Sequence, residues 1–188
     1  MANVTCMEPQ VLVDLLALSL EHAQLQESPP EECFIWVVSP WFTDVELALH
    51  PSGHHECLGS KQHASSLRLN EALQQFVQLG WKVSVAVLQY GQSSAGLHKN
   101  PQGFSREREV LRSLADLGAD VYLCPNLHAK GIITPLGVVT GTTNYTHSGM
   151  NLQMQNALYF PLNHSEYATT RDQLMMFFRA DWKTSTIP

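Results

Sequence analysis

A histidine and a lysine one residue apart, followed by a glycine and a run of small hydrogen-bonding side chains, carry most of the chemistry in this chain. They are His128 and Lys130 in the stretch 127–133, then Gly141, Thr142, Thr143 and Asn144 at the end of the stretch 138–144. In an extended strand successive side chains alternate between faces, so His128 and Lys130 point the same way and Ala129 the other. One imidazole and one ammonium then share a surface. The second stretch is a short β-branched strand ending on Gly141, after which hydroxyls, an amide and backbone N–H groups become available. Together these groups are an inventory for holding a phosphate.

The elements that must position them follow from periodicity. Val11 to Gln26 reads as a helix, with Leu12, Leu16 and Leu20 on one face, stopped by Pro29 and Pro30. Cys33 to Val38 is a continuous apolar run, expected as a central strand buried on both faces. Asn70 onward is helical to Gly80, and Val83 to Leu88 is a second buried strand. The loop from Gln89 to Phe104, about sixteen residues, is longer than ordinary connections, as functional loops often are. Ser105 is expected to cap a helix carrying Val110, Leu111, Leu114 and Leu117 inward, and Val121 to Cys124 is a third strand. A further helix after Asn144, a strand at Ala157 to Phe160 and a last helix through Leu174, Phe177, Phe178 and Trp182 complete the order. The alternation predicts an α/β fold: a mixed, mainly parallel β-sheet sandwiched between helices, in one domain spanning residues 1–188.

Composition narrows the function. The chain has 188 residues, 44% of them hydrophobic, enough for one core that folds unaided. Its formal charge is −6 with eleven Lys and Arg, which excludes a broad basic face, because affinity for a nucleic-acid backbone grows with the number of phosphates neutralised. Nucleic-acid contact is therefore expected to be local or supplied by a partner subunit. The cysteines, Cys6, Cys33, Cys57 and Cys124, form no close pair and read as reduced thiols. No secretory signal and no membrane-spanning run is evident, so a soluble cytoplasmic protein without membrane association is expected.

Other residues have two readings each. Asp44, beyond Pro40 at a strand's carboxyl end, is either a site carboxylate or an ordinary cap. Lys99, Arg106 and Arg108, with Arg112, are the one local concentration of positive charge: a substrate-contacting patch or a solvated helix face. His50, His54, His55, Cys57 and His63 could ligate zinc, but their spacing matches no familiar pair of ligand pairs. A surface loop at the mouth of the site is the preferred reading, and no metal is expected.

His128, Lys130, Gly141, Thr142 and Asn144 in this arrangement resemble the phospholipase D superfamily, with Thr142 for the usual Ser. The segment Asn144, Tyr145, Thr146, Gly149 and Met150 is similar to metal-independent restriction-endonuclease domains of that superfamily. Ser39, Pro40 and Trp41 look like phospholipase-D-like proteins of prokaryotic defence systems. Two positions depart from the pattern. Pro135 stands at the place of the family's Asp, and Gln155 stands where nuclease-like members carry a Glu that hydrogen-bonds the catalytic His. Gln155 can still accept a hydrogen bond and fix the tautomer, but lacks the charge that stabilises an imidazolium.

What the resemblance implies is a metal- and cofactor-independent phosphodiesterase. His128 attacks phosphorus to give a phosphohistidine, and Lys130 and Asn144, with Thr142 or Thr143, hold the non-bridging oxygens. Gln155 or Asp44 supports the imidazole. A second His must protonate the leaving oxygen, and the chain has one such motif, so a homodimer sharing one site across a two-fold axis is expected. The implied substrate is nucleic acid, DNA or RNA. The alternatives are a catalytically impaired nucleic-acid-binding or scaffold subunit, favoured by Gln155 and Pro135, and a lipid phosphodiesterase.

Overall fold

The computed structural model describes residues 6–7, 10–25, 33–48, 66–89, 101–152 and 156–187. Its frame is one sheet of eight strands: β1 (Cys6–Met7), β2 (Phe34–Val38), β5 (Lys82–Leu88), β6 (Asp120–Cys124), β7 (Gly131–Thr134), β8 (Gly137–Gly141), β9 (Ala157–Pro161) and β10 (Lys183–Thr184). Their spatial order is β1-β9-β8-β7-β2-β5-β6-β10. A separate antiparallel pair joins β3 (Glu46–Ala48) to β4 (Ser66–Arg68).

The mixed α/β sheet expected from the alternation is present, with a different balance. Among the described residues the parallel strand pairs of the sheet are β2 with β5 and β5 with β6, whereas β7, β8 and β9 form an antiparallel meander that joins β2 antiparallel. The reason lies in connection length. Helical crossovers link the parallel strands, while β7 and β8 are joined by the two turn residues Pro135 and Leu136, and only antiparallel neighbours can be joined so tightly.

Alternation along the strands feeds two cores. Ile35, Val37, Val83, Val85, Val87, Val121, Ile132 and Val139 face α1 (Gln10–Gln24), α2 (Leu69–Gln78) and α3 (Pro101–Asp116). Val38, Ala86, Tyr122, Ile133, Val138 and Phe160 face α4 (Tyr167–Met175), whose Tyr167 and Leu174 cover them. Helix α3 begins at Pro101, so Ser105 lies inside it rather than capping it. The helix expected after Asn144 is a single π-helical turn, Ser148–Leu152, and the last expected helix stops at Met175, Ala180–Trp182 forming a separate 3-10 turn. Among the described residues no helix is long and apolar enough to cross a membrane.

Because β2 runs antiparallel to β7, pairing Val38 with Gly131, the carboxyl end of β2 meets the amino end of β7. Gly131 in turn pairs Thr140, and Gly141 pairs Ala157. One edge of the sheet thereby collects the segment after β2, the segment before β7, the segment after β8 and the segment before β9.

Candidate active site

The run 127–130 is not part of the ladder; β7 starts at Gly131. It leaves a tight turn in which Asn126 adopts a positive φ of 54°, a conformation that Asn tolerates better than most residues. Leu127 is buried and anchors the run in the α4-side core, His128 is exposed, and Lys130 is buried. The Lys130 ammonium turns back on the chain: Nζ donates to the backbone oxygen of His128 at 2.6 Å and lies 3.5 Å from His128 Nδ1. The expected pairing of imidazole and ammonium is therefore present, made by a loop rather than by strand alternation. Burial holds the Lys130 pKa below the ordinary lysine range. Thr140 Oγ1 donates to the Lys130 carbonyl at 2.9 Å and ties the run to β8.

Beside Lys130 lies a cavity of about 10 Å³, lined by Leu12, Val139, Thr140, Thr143, Tyr145 and Met150 among others, close to what one water needs. Thr143 is buried, and among the described residues its Oγ1 has no hydrogen-bond partner; the same holds for Asn144 Oδ1. Buried polar atoms without partners are costly, so these two mark a place suited to a polar ligand. Thr142 is used differently. Its N–H donates to the Asn156 carbonyl and its Oγ1 accepts the Asn156 N–H, closing the end of the β8–β9 pair. A Cβ at Gly141 would run into the Asn156 carbonyl, so this closure requires glycine.

Tyr145, next to Asn144, is held at both backbone groups by the segment after β2. Its N–H donates to Ser39 Oγ at 3.2 Å, its carbonyl accepts the Thr43 N–H at 2.9 Å, and it forms an isolated parallel bridge with Phe42. Ser39, fully buried, also donates to the Trp41 carbonyl at 2.6 Å. From the other side Gly149 packs on Asn144: a Cβ there would collide with the Asn144 carbonyl oxygen.

The remaining expected residues separate. Asp44 serves the β4–α2 junction, where its carboxylate pairs with Arg68 at 3.0 Å and accepts the Asn70 N–H at 3.3 Å; among the described residues it makes no contact with His128. Its cap-like reading is the one the geometry favours. Pro135 sits in the β7–β8 turn, at the far end of β7 from His128. Arg106 is exposed and Arg108 half-buried on α3. Lys99, Gln155 and the stretch from His50 to His63 lie outside the described residues. Among those described, no group of three His, Cys, Asp or Glu side chains converges to hold a metal.

Glu107, between the two arginines, is a charged residue that the sequence reading passed over. It is buried, its Oε1 accepts the Phe42 N–H at 2.8 Å, and burial pushes its pKa up to about 7, against the pull of that hydrogen bond and of Arg108. The signal was available: Glu107 falls on the same helical stripe as Val110, Leu111 and Leu114, where an apolar residue belongs.

Comparison with solved structures places this architecture. A phospholipase D family member, Nuc from Salmonella typhimurium, has TM-score 0.52 and 14% identity over 89% of this chain and 87% of its own. NucT from Helicobacter pylori has TM-score 0.56 and 12% identity over 97% and 96%. TrmBL2, an archaeal chromatin protein whose structure shows a novel mode of DNA binding, has TM-score 0.52 and 10% identity over 98% of this chain and 55% of TrmBL2. No family model and no curated protein matches the sequence. The mixed sheet flanked by helices is similar to the fold of these proteins, the phospholipase D-like fold that the sequence led one to expect.

Proposed function

We propose that this chain is a metal-independent phosphodiesterase, in the first place a nuclease, acting through a phosphohistidine on His128. The observation that carries the reading is the pairing of an exposed imidazole with a buried ammonium, beside the unpartnered Thr143 Oγ1 and the Asn144 amide. Nε2 of His128 is the nucleophile in the tautomer whose ring proton sits on Nδ1; the Lys130 ammonium near Nδ1 is a donor only and cannot hold that proton, so an acceptor elsewhere must fix this tautomer. In the first step Nε2 bonds to phosphorus, the bond to the leaving oxygen breaks, and that oxygen takes a proton from His128 of a second copy. In the second step water attacks, the phosphorus–nitrogen bond breaks, and the water's proton goes to the second imidazole. Lys130 and the Asn144 amide neutralise and orient the non-bridging oxygens. Gln155 is the candidate to orient the ring.

The need for a second imidazole is the support for a homodimer with a shared site. Nucleic acid is favoured as substrate by the fold shared with TrmBL2, a protein described as binding DNA. The acidic balance makes the grip local, with Arg106, Arg108 and Lys99 as the candidate cations, or dependent on a partner subunit. The test is a cleavage assay in EDTA across single- and double-stranded DNA, RNA and simple phosphodiesters, including phospholipid, with His128→Ala as control. Cleavage by the wild type alone, trapped as a phosphohistidine, supports the reading. Binding of nucleic acid with no cleavage and no phosphohistidine overturns it in favour of a binding subunit.

A further inference from the structure

We propose that Glu107 is a positioning residue of this site: from helix α3 it pins the segment after β2 that in turn fixes Tyr145 and hence the neighbouring Asn144. The inference rests on the phosphodiesterase reading for its catalytic consequence, but not for the geometry.

The linkage is continuous. Glu107 Oε1 accepts the Phe42 N–H at 2.8 Å across 65 residues of sequence. Phe42, fully buried, bridges Tyr145, and its neighbours Thr43 and Ser39 engage the Tyr145 carbonyl and N–H. Both backbone groups of Tyr145 are thus set by one short segment, and Asn144 follows from its peptide geometry. Among the described residues the Phe42 N–H is the one hydrogen-bond partner of the Glu107 carboxyl. A carboxyl group buried for a single backbone donor is an expensive way to satisfy that donor. The expense is understandable where the donor belongs to a segment that must not move. An apolar side chain at position 107 would continue the buried stripe of Val110 and Leu111, but would leave the Phe42 N–H without this partner and the segment free to shift.

The experiment compares wild type, Glu107→Gln, Glu107→Ala and Glu107→Asp by amide hydrogen exchange and by steady-state kinetics. The Gln amide oxygen still accepts the Phe42 N–H; Ala removes the acceptor, and Asp withdraws it by one methylene while remaining a carboxyl. Exchange at Phe42, Thr43 and Tyr145 should quicken about tenfold or more in Ala and Asp and return to the wild-type rate in Gln, with the β5 amides unchanged in all four. In the cleavage assay kcat should fall about tenfold or more in Ala and Asp with KM little altered, and recover in Gln. Unchanged exchange at Thr43 and Tyr145 in Glu107→Asp overturns the proposal, as does equal quickening throughout β5, which would make Glu107 an ordinary stabilising residue. If Glu107→Ala does not fold, the Asp and Gln variants decide. A wild type that cleaves no phosphodiester sinks the functional reading, while exchange alone still decides whether Glu107 pins the segment.

Discussion

The Lys130 ammonium lies 2.6 Å from the backbone oxygen of His128 and 3.5 Å from its Nδ1. The cation is therefore held against the imidazole by the backbone oxygen of the same residue.

Lys130→Ala should lower kcat about a hundredfold to a thousandfold, the cost of losing one preorganised donor to a developing anion. Lys130→Arg should not rescue it, because a planar guanidinium does not occupy the place of a compact ammonium turned back on its own chain. Burial lowers the Lys130 pKa, so the cation is lost at lower pH than for an exposed lysine. The alkaline limb of the kcat profile should begin correspondingly early. A limb at the ordinary lysine value would contradict the assignment.

Glu107 makes stability depend on pH. Burial lifts its carboxyl from 4.5 to about 7, so the folded chain holds a proton that the unfolded chain releases. That contribution is fully present below the unfolded value and disappears as pH rises through the folded one, a loss of about 3 kcal/mol between pH 4.5 and 8. Arg108, the charged neighbour, works against the shift without reversing it. Glu107→Gln should flatten the dependence, as read from urea midpoints at several pH values; parallel profiles for the two proteins would refute it.

Gly149→Ala should destabilise the fold by about 1–3 kcal/mol, the usual range for forced overpacking. It should also depress activity more than its stability loss explains, because the carbonyl it strikes belongs to Asn144. Calorimetry and cleavage on the same preparation separate the two effects.

If two copies share one site, the protein should be dimeric at micromolar concentration by sedimentation, and mixed dimers of wild type with His128→Ala should be inactive. A strict monomer with full activity would rule the shared site out.

That His128 and Lys130 lie together was legible from their spacing; that a loop rather than strand alternation brings them together was not, because the run reads as strand whether or not it pairs. The buried strands were legible too, since Ile35 to Val38 and Val83 to Leu88 have few polar residues to offer an alternative. The expectation of a mainly parallel sheet failed because apolar runs do not encode strand direction; the two-residue turn at Pro135 and Leu136 did, but it reads as a hairpin only when counted against the strands on either side. Asp44 was ambiguous for a related reason. Its partners Arg68 and Asn70 are distant in sequence, and nothing local distinguishes a carboxylate that meets a substrate from one that holds a helix start. Glu107 is easily overlooked because a run of four charged residues, Arg106 to Glu109, invites reading as solvent-facing, although its helical phase places Glu107 inward.

The two-residue strands β1 and β10 at the margins of the sheet bear on assembly. Margins this brief offer little open ladder for another chain to extend, a common defence against edge-to-edge association. On the shared-site proposal, a second copy would approach end-on, along the strand axes, through the same loops that carry His128 and Asn144. Substrate and neighbour would compete for one doorway, and the size of polymer that can enter would be set by the gap the pair leaves between them.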